Sequence, residues 1–177
     1  KKDLNDLMNT MKYRGPDGNG SFKIKTCKNF LGLFHCRLSI IDPNERSNQP
    51  LKDDNGVIIF NGMIYNYVEI KKKLISEGIK FYTNSDTEVL LKFLNIYGPE
   101  RLDLLDGMWS FAYYNFKKKK FIISRDRFAE KPLYLVKTKK SIIFGSSIDY
   151  ILKINGYLIT AKCIISPLFR MNMFQYL

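Results

Sequence analysis

An α+β layered domain is the fold class this sequence predicts, and three observations carry the prediction. Strand-like segments come first, two helical segments follow and strand-like segments then return, an order unlike a regularly alternating βαβ sheet. No GxGxxG turn or P-loop lysine motif marks a nucleotide-binding βαβ unit. Hydrophobic residues make up 45 % of the 177-residue chain, enough for a core and against wholesale disorder.

The elements are expected in this order. Residues 3–13 place Leu4, Leu7, Met8 and Met11 on one helical face. Arg14-Gly15-Pro16-Asp17-Gly18 is a turn signal. Strands are expected over Ser21–Cys27, Phe30–Arg37 and Val57–Phe60. A helix follows from about Tyr65 to Glu77, with Tyr67, Ile70, Leu74 and Ile75 at helical spacing and Gly78 as its stop. Ser85-Asp86-Thr87-Glu88 has capping-box spacing and opens a second helix, which should end near Gly98-Pro99. Two hairpins are then expected, Met108–Asn115 with Phe121–Arg125 and Leu133–Val136 with Ser141–Gly145. The pattern weakens after Tyr150, so residues 1–152 are read as one domain and 153–177 as a tail or the start of a linker.

Composition excludes several function classes. No apolar run approaches the roughly 18 residues of a membrane helix, and the N-terminus lacks a signal-peptide layout. Three cysteines without a CxxC pair fit a reducing compartment, so a cytoplasmic location is expected. One histidine makes a His-rich metal site implausible, and no metal is expected. The net charge of +12, from 29 basic and 17 acidic side chains, leaves a nucleic-acid footprint as one reading. Much of the excess sits in the runs Lys71–Lys73, Lys117–Lys120 and Lys137–Lys140, which suit a helix face and turns. No nucleic-acid motif accompanies them, so a nucleic-acid partner is not expected.

The stretch Asn61-Gly62-Met63-Ile64-Tyr65-Asn66-Tyr67 carries the most information. Read as a strand-to-helix turn, it would expose backbone N–H groups at a helix start. The Asn61 amide and the Gly62 N–H would then converge on one oxygen. A two-residue Asn-Gly hairpin turn is the competing reading. Arg37, ahead of Leu38-Ser39-Ile40-Ile41-Asp42, can offer a planar fork to a carboxylate or form a surface ion pair with Asp42. Asp86 can interact with the helix dipole or bind an ammonium group. Arg125-Asp126-Arg127 reads as a structural ion-pair cluster. Cys36 follows His35 on an expected strand, where adjacent side chains point to opposite faces, so the two are not expected to form a catalytic dyad.

The order of these motifs is more specific than any one of them. Arg14-Gly15-Pro16-Asp17, Arg37 to Asp42, Gln49-Pro50, Asn61 to Tyr67, Ser85 to Val89, Leu105-Asp106-Gly107-Met108, Arg125-Asp126-Arg127 and Lys131-Pro132-Leu133-Tyr134 closely resemble the N-terminal glutaminase domain of glutamine-hydrolysing asparagine synthetases. The resemblance spans roughly residues 8–152. It implies the N-terminal-nucleophile hydrolase fold, a four-layer αββα sandwich with two antiparallel sheets. It also implies a cysteine nucleophile at the mature N-terminus whose own amine is the base.

By the same resemblance, Arg37 would hold the glutamine α-carboxylate and the Leu38, Ser39, Ile40 and Ile41 backbone would line the pocket. Asn61 and Gly62 would form the oxyanion hole, and Asp86 would bind the α-ammonium. Ammonia would pass to a synthetase domain, which alone would use ATP and Mg²⁺; no cofactor is expected in the glutaminase domain, and a homodimer is compatible with the reading. The chain starts close to Arg14, so it is expected to lack the first strand and the nucleophile and to be inactive by itself. Met63 replaces the family's usual glutamate beside the ammonium, Ala129 a usual glycine and Ser147 a usual glutamate. Those departures motivate the alternative of a degenerate, non-hydrolytic domain that scaffolds a synthetase.

Overall fold

The computed structural model describes residues 11–25, 30–138, 141–155 and 174–176. The helix expected over residues 3–13 therefore lies mostly outside the described residues. Strands β1 (Gly18–Lys25) and β2 (Phe30–Arg37) form an antiparallel pair. After a 3₁₀ turn at Glu45–Ser47 come β3 (Leu51–Lys52), β4 (Gly56–Ile64), α1 (Tyr67–Ser76) and α2 (Asp86–Ile96). A second 3₁₀ segment, Pro99–Leu104, leads to β5 (Gly107–Asn115), β6 (Lys120–Arg125), β7 (Tyr134–Lys137), β8 (Ile142–Gly145), α3 (Ile148–Asn155) and β9 (Phe174–Tyr176).

The central sheet has the order β3-β4-β5-β6-β9, with every neighbouring pair antiparallel. Alternation along β4 gives it two apolar faces. Ile58, Phe60 and Ile64 pack with Leu74 of α1 and Leu90, Leu91, Phe93 and Leu94 of α2. Val57 and Ile59 instead pack with Leu33 of β2, Leu135 of β7 and Phe144 of β8. The second β layer is described as two hairpins, β1-β2 and β7-β8. Beyond it, α3 packs on β8: Ile151 is buried and would lie 3.9 Å from a Cβ built at Gly145. Helix, sheet, paired hairpins and helix make the four expected layers.

Several boundaries move for physical reasons. β4 runs to Ile64, not Phe60, because β5 pairs with it as far as Ile64↔Gly107. Asn61 and Gly62 therefore lie in mid-strand, opposite Ser110 and Trp109; neither a helix-start turn nor a hairpin turn is present there. β1 begins at Gly18, where it pairs with Arg37. α3 runs through the expected boundary at residue 152, and β9, from the expected tail, adds a strand to β6.

Local signals elsewhere agree with the sequence. Ser85 Oγ accepts from the Glu88 N–H at 3.2 Å, as an N-cap should. The reciprocal half of the capping box is absent, because the Glu88 carboxylate accepts from the N–H groups of Tyr82 and Thr83 instead. Lys117–Lys120 lies at the β5–β6 turn and Lys71–Lys73 on α1, but Lys71 is tied to the Thr83 carbonyl at 2.9 Å. Asp126 is no ion-pair residue: it is 3 % exposed and its carboxylate accepts from the N–H groups of Trp109, Glu130 and Lys131. In that turn Ala129 sits at φ 61°, a left-handed conformation costing an L-residue roughly 1–2 kcal/mol. Part of that is offset by the greater unfolded-state freedom of glycine. Ala129→Gly is expected to stabilise the fold by about 0.5–1 kcal/mol, read as a higher urea midpoint at unchanged m-value.

Candidate active site

The site is built on the edge of β4 that faces away from β5. The Tyr65 N–H bonds to the Asp106 carbonyl and the Phe116 N–H to the Asn55 carbonyl. Odd-numbered residues of β4 therefore direct their backbone groups at β5 and even-numbered ones at the opposite edge. On that edge Gly56 and Ile58 are covered by β3, whose pairing ends at Leu51↔Ile58. Beyond it, side chains take over. Gln49 accepts from the Phe60 N–H at 2.6 Å and donates to the Phe60 carbonyl at 3.0 Å. Asp86 accepts from the Ile64 N–H at 3.1 Å.

Gly62 lies between these two anchors. Its N–H points off the same edge, and no described residue accepts it. Asn61 and Met63, one step out of phase, direct their side chains to the face shared with Ile59, between the two β layers. A fixed N–H beside an amide side chain can hold a developing oxyanion. Gly62 also has no room for a side chain: a Cβ there would lie 2.1 Å from the Met108 carbonyl oxygen.

Arg37 ends β2 next to this edge and is 6 % exposed. The surface ion pair with the Asp42 carboxylate is not found. Nη2 instead donates to the carbonyls of Ile41 at 2.8 Å and Asp42 at 2.7 Å, and Nη1 to that of Asn44 at 3.2 Å. Two of the five guanidinium donors remain for a carboxylate. The clasp holds Asp42 at φ 50°, and the Asp42 carboxylate accepts from Ser47 Oγ at 2.7 Å and the Asn84 N–H at 2.8 Å. These bonds, first among them that from Asn84, hold the carboxyl below the usual carboxylate range. The loop thereby joins Arg37 to the segment that enters α2 at Asp86.

Burial pushes the Asp86 carboxyl up, while N–H groups of Ile64, Thr87 and Asp86 itself, together with the Arg37 charge, pull it back. Arg37 and Asp86 are thus electrostatic neighbours at one end of the Gly62 edge. Within the 38–41 segment, the Ser39 N–H is held by Asp17 at 2.7 Å, Leu38 and Ile40 are exposed and Ile41 is half-buried. Gly15 is needed where this loop meets the Arg14–Asp17 turn, since a Cβ would lie 2.3 Å from the Cys36 carbonyl.

Cys36 lies on the other side of β2. Leu33 packs between the β layers, so His35 and Arg37 share that face and Cys36 points outward. Electrostatic coupling of Cys36 to Tyr150 of α3 agrees with that placement. Burial pushes the Cys36 thiol up, with Lys12 acting against it. The thiol neither faces Gly62 nor is activated, and the adjacent-residue argument against a His35–Cys36 dyad holds.

A family profile, that of the glutamine amidotransferase domain, matches residues 1–172. The chain belongs to this family. The amidotransferase domain is 36 % identical over 171 residues to a putative glutamine-hydrolysing asparagine synthetase 2 of Methanocaldococcus jannaschii, with 87 % of this chain and 32 % of that protein covered. It is 40 % identical over 149 residues to the glutamine-hydrolysing asparagine synthetase 1 of Bacillus subtilis, with 82 % and 23 % covered. The chain thus spans a third or less of these relatives. Its fold matches the glutamine phosphoribosylpyrophosphate amidotransferase of B. subtilis, complexed with ADP and GMP, at a TM-score of 0.69. That match has 18 % identity and covers 85 % of this chain and 40 % of the other.

Sequence reasoning missed Gln49 as the edge partner of Phe60. Only the β3–β4 register places Gln49 opposite Phe60.

Two outcomes follow from this geometry. Gly62→Ala is expected to lower stability by about 1–3 kcal/mol through overpacking against β5, measured by urea unfolding. The imidazole of His35, held down to about 4 by burial despite the opposing pull of the Phe60 backbone and with Arg37 adding to the depression, is neutral in the fold. Between its ordinary value and about 4 the unfolded chain binds more protons, so stability falls as pH drops through this window, by about 2–3 kcal/mol in all. Urea midpoints from pH 7.5 to 4.5 should show that loss, and His35→Phe should flatten it.

Proposed function

We propose that the complete protein hydrolyses glutamine to glutamate at the Gly62 edge and delivers the ammonia to a synthetase domain. There ATP-dependent amidation would make asparagine or a related product. The observation that carries this reading is the unaccepted Gly62 N–H, fixed between the anchored Phe60 and Ile64 and adjoined by the Asn61 amide. Arg37 offers its two remaining donors to the α-carboxylate, and Asp86 supplies negative charge for the α-ammonium. A cysteine thiolate at the mature N-terminus attacks the side-chain amide, and Asn61 and Gly62 stabilise the oxyanion. Ammonia leaves, and water then releases glutamate from the thioester.

In this reading ATP and Mg²⁺ belong to the synthetase part. The protein works in the cytoplasm, as a homodimer or as a single chain, and takes no nucleic acid as partner. Among the described residues no helix is long and apolar enough to cross a membrane, and no cluster of three or more His, Cys, Asp and Glu side chains is placed to hold a metal.

Met63 favours a second reading, a domain that binds its synthetase partner without turning over glutamine. Met63 directs a thioether, not a carboxylate, into the space between the β layers, which leaves Asp86 as the anion near Gly62.

Glutamate release from glutamine by the full-length protein with its natural N-terminus decides between the two. Release would be expected to survive Cys36→Ser within about two-fold, and Met63→Glu to lower the glutamine KM by about ten-fold, the worth of one charge-assisted hydrogen bond. No release from protein bearing an N-terminal cysteine would defeat the hydrolytic reading.

A further inference from the structure

An open groove of about 660 Å³ lies between the 3₁₀ turn at Glu45–Ser47, α1 and the 79–84 link from α1 to α2, a volume within the range of small-molecule sites. Three cations line it, Arg46, Lys71 and Lys80, and no described carboxylate does. Much of the remaining wall is apolar: Ile75, Ile79 and Phe81, beside the exposed ring of Tyr82.

The fold sets one of the three cations in place. Lys71 Nζ donates to the Thr83 carbonyl at 2.9 Å and to Asn84 Oδ1 at 3.3 Å, and it lies 5.1 Å from the centre of the Phe81 ring. Its third N–H remains for a ligand. Arg46 Nε lies 3.7 Å from Asp42 Oδ2, too far for a hydrogen bond. That oxygen already accepts from Ser47 Oγ at 2.7 Å and the Asn84 N–H at 2.8 Å. The groove therefore holds a surplus of positive charge beside an apolar floor.

We propose that this groove binds a small organic phosphate, a phosphate monoester with a flat apolar group, and that its occupancy stiffens the contact between the 42–47 loop and the 79–84 link. The doubly charged phosphate matches the cation cluster, because its oxygens accept from lysine and arginine together. Ile75, Ile79 and the Tyr82 ring match the apolar part. A ligand that reaches Arg46 on one side and Lys71 and Lys80 on the other bridges the two segments joined by the bond from the Asn84 N–H to Asp42. That junction carries the Arg37 clasp through the Asp42 carbonyl, and Asp86 follows two residues after Asn84. An occupant thus reaches the supports of the candidate active site without entering it. The proposal goes beyond the glutaminase reading. Binding is read without turnover, so either can fail without the other.

The test is calorimetric titration of the full-length protein with phenyl phosphate, with inorganic phosphate and phenol as partial ligands. Phenyl phosphate is expected to bind with a Kd of about 1 mM or tighter. Inorganic phosphate, without the apolar part, should bind about ten-fold more weakly, and phenol should give no measurable binding. Arg46→Gln and Lys80→Gln each remove a charge from the groove and break no side-chain hydrogen bond among the described residues. Each is expected to weaken phenyl phosphate about five-fold.

Hydrogen exchange locates the ligand: phenyl phosphate is expected to slow exchange within residues 42–47 and 79–84. No binding at about 10 mM phenyl phosphate overturns the proposal. Unchanged affinity in both variants, or binding without protection of those two segments, does so as well. A phosphotyrosine peptide that binds more than about ten-fold tighter than phenyl phosphate assigns the groove to a protein partner and overturns the small-ligand assignment.

Discussion

A strand that outruns its neighbour must find other partners for its outward backbone groups, because a buried peptide group without a hydrogen bond costs about 1–3 kcal/mol. β4 is in that position. β3 covers it only as far as Ile58, and the next residues on that edge are Phe60, Gly62 and Ile64. Side chains from two separate segments satisfy two of the three: Gln49 at Phe60 and Asp86 at Ile64. Much of the candidate site's architecture follows from this requirement, including which element ends lie together and why, among the described residues, the Gly62 N–H on this edge has no acceptor.

The same requirement explains the burial of charge nearby. Asp86 is 6 % exposed, as is Arg37. Burying a charge is costly unless it is bonded and paired. Asp86 spends its acceptors on Ile64 and on the start of α2, and Arg37 spends three donors on the carbonyls of the 41–44 loop. Each is held rigidly by these bonds, and each keeps some capacity over. Preorganised groups of this kind stabilise charge without having to reorganise when it develops. The three-donor clasp also accounts for a non-glycine residue, Asp42, at positive φ: the strain is balanced by bonds on both its carbonyl and its carboxylate.

Legibility in the sequence followed the range of the interactions. The Ser85 cap, the stop at Gly78, the β5–β6 and β7–β8 hairpins and the opposed faces of His35 and Cys36 depend on neighbours a few residues away, and alternation and turn chemistry reveal them. The extent of β4 does not. Asn61-Gly62 reads locally as a turn, and tertiary pairing with Gly107–Asn115 overrides that preference. Asp126 similarly reads as a charge among arginines, but its partners are backbone N–H groups brought around by the turn at Ala129.

Residue order alone determined the layered α+β class, the candidate residues Arg37, Asn61, Gly62 and Asp86, and the resemblance to a glutaminase domain. These are properties of motif order and local periodicity, both written along the chain. Only the tertiary structure decided the geometry of the candidate oxyanion position. It is a mid-strand N–H exposed because β3 stops short, rather than a helix start, and it is framed by Gln49 and Asp86 from two different segments. The physical reason is register: which backbone groups of β4 point away from β5, and which of them remain without a strand partner, is fixed only when β3, β4 and β5 have paired.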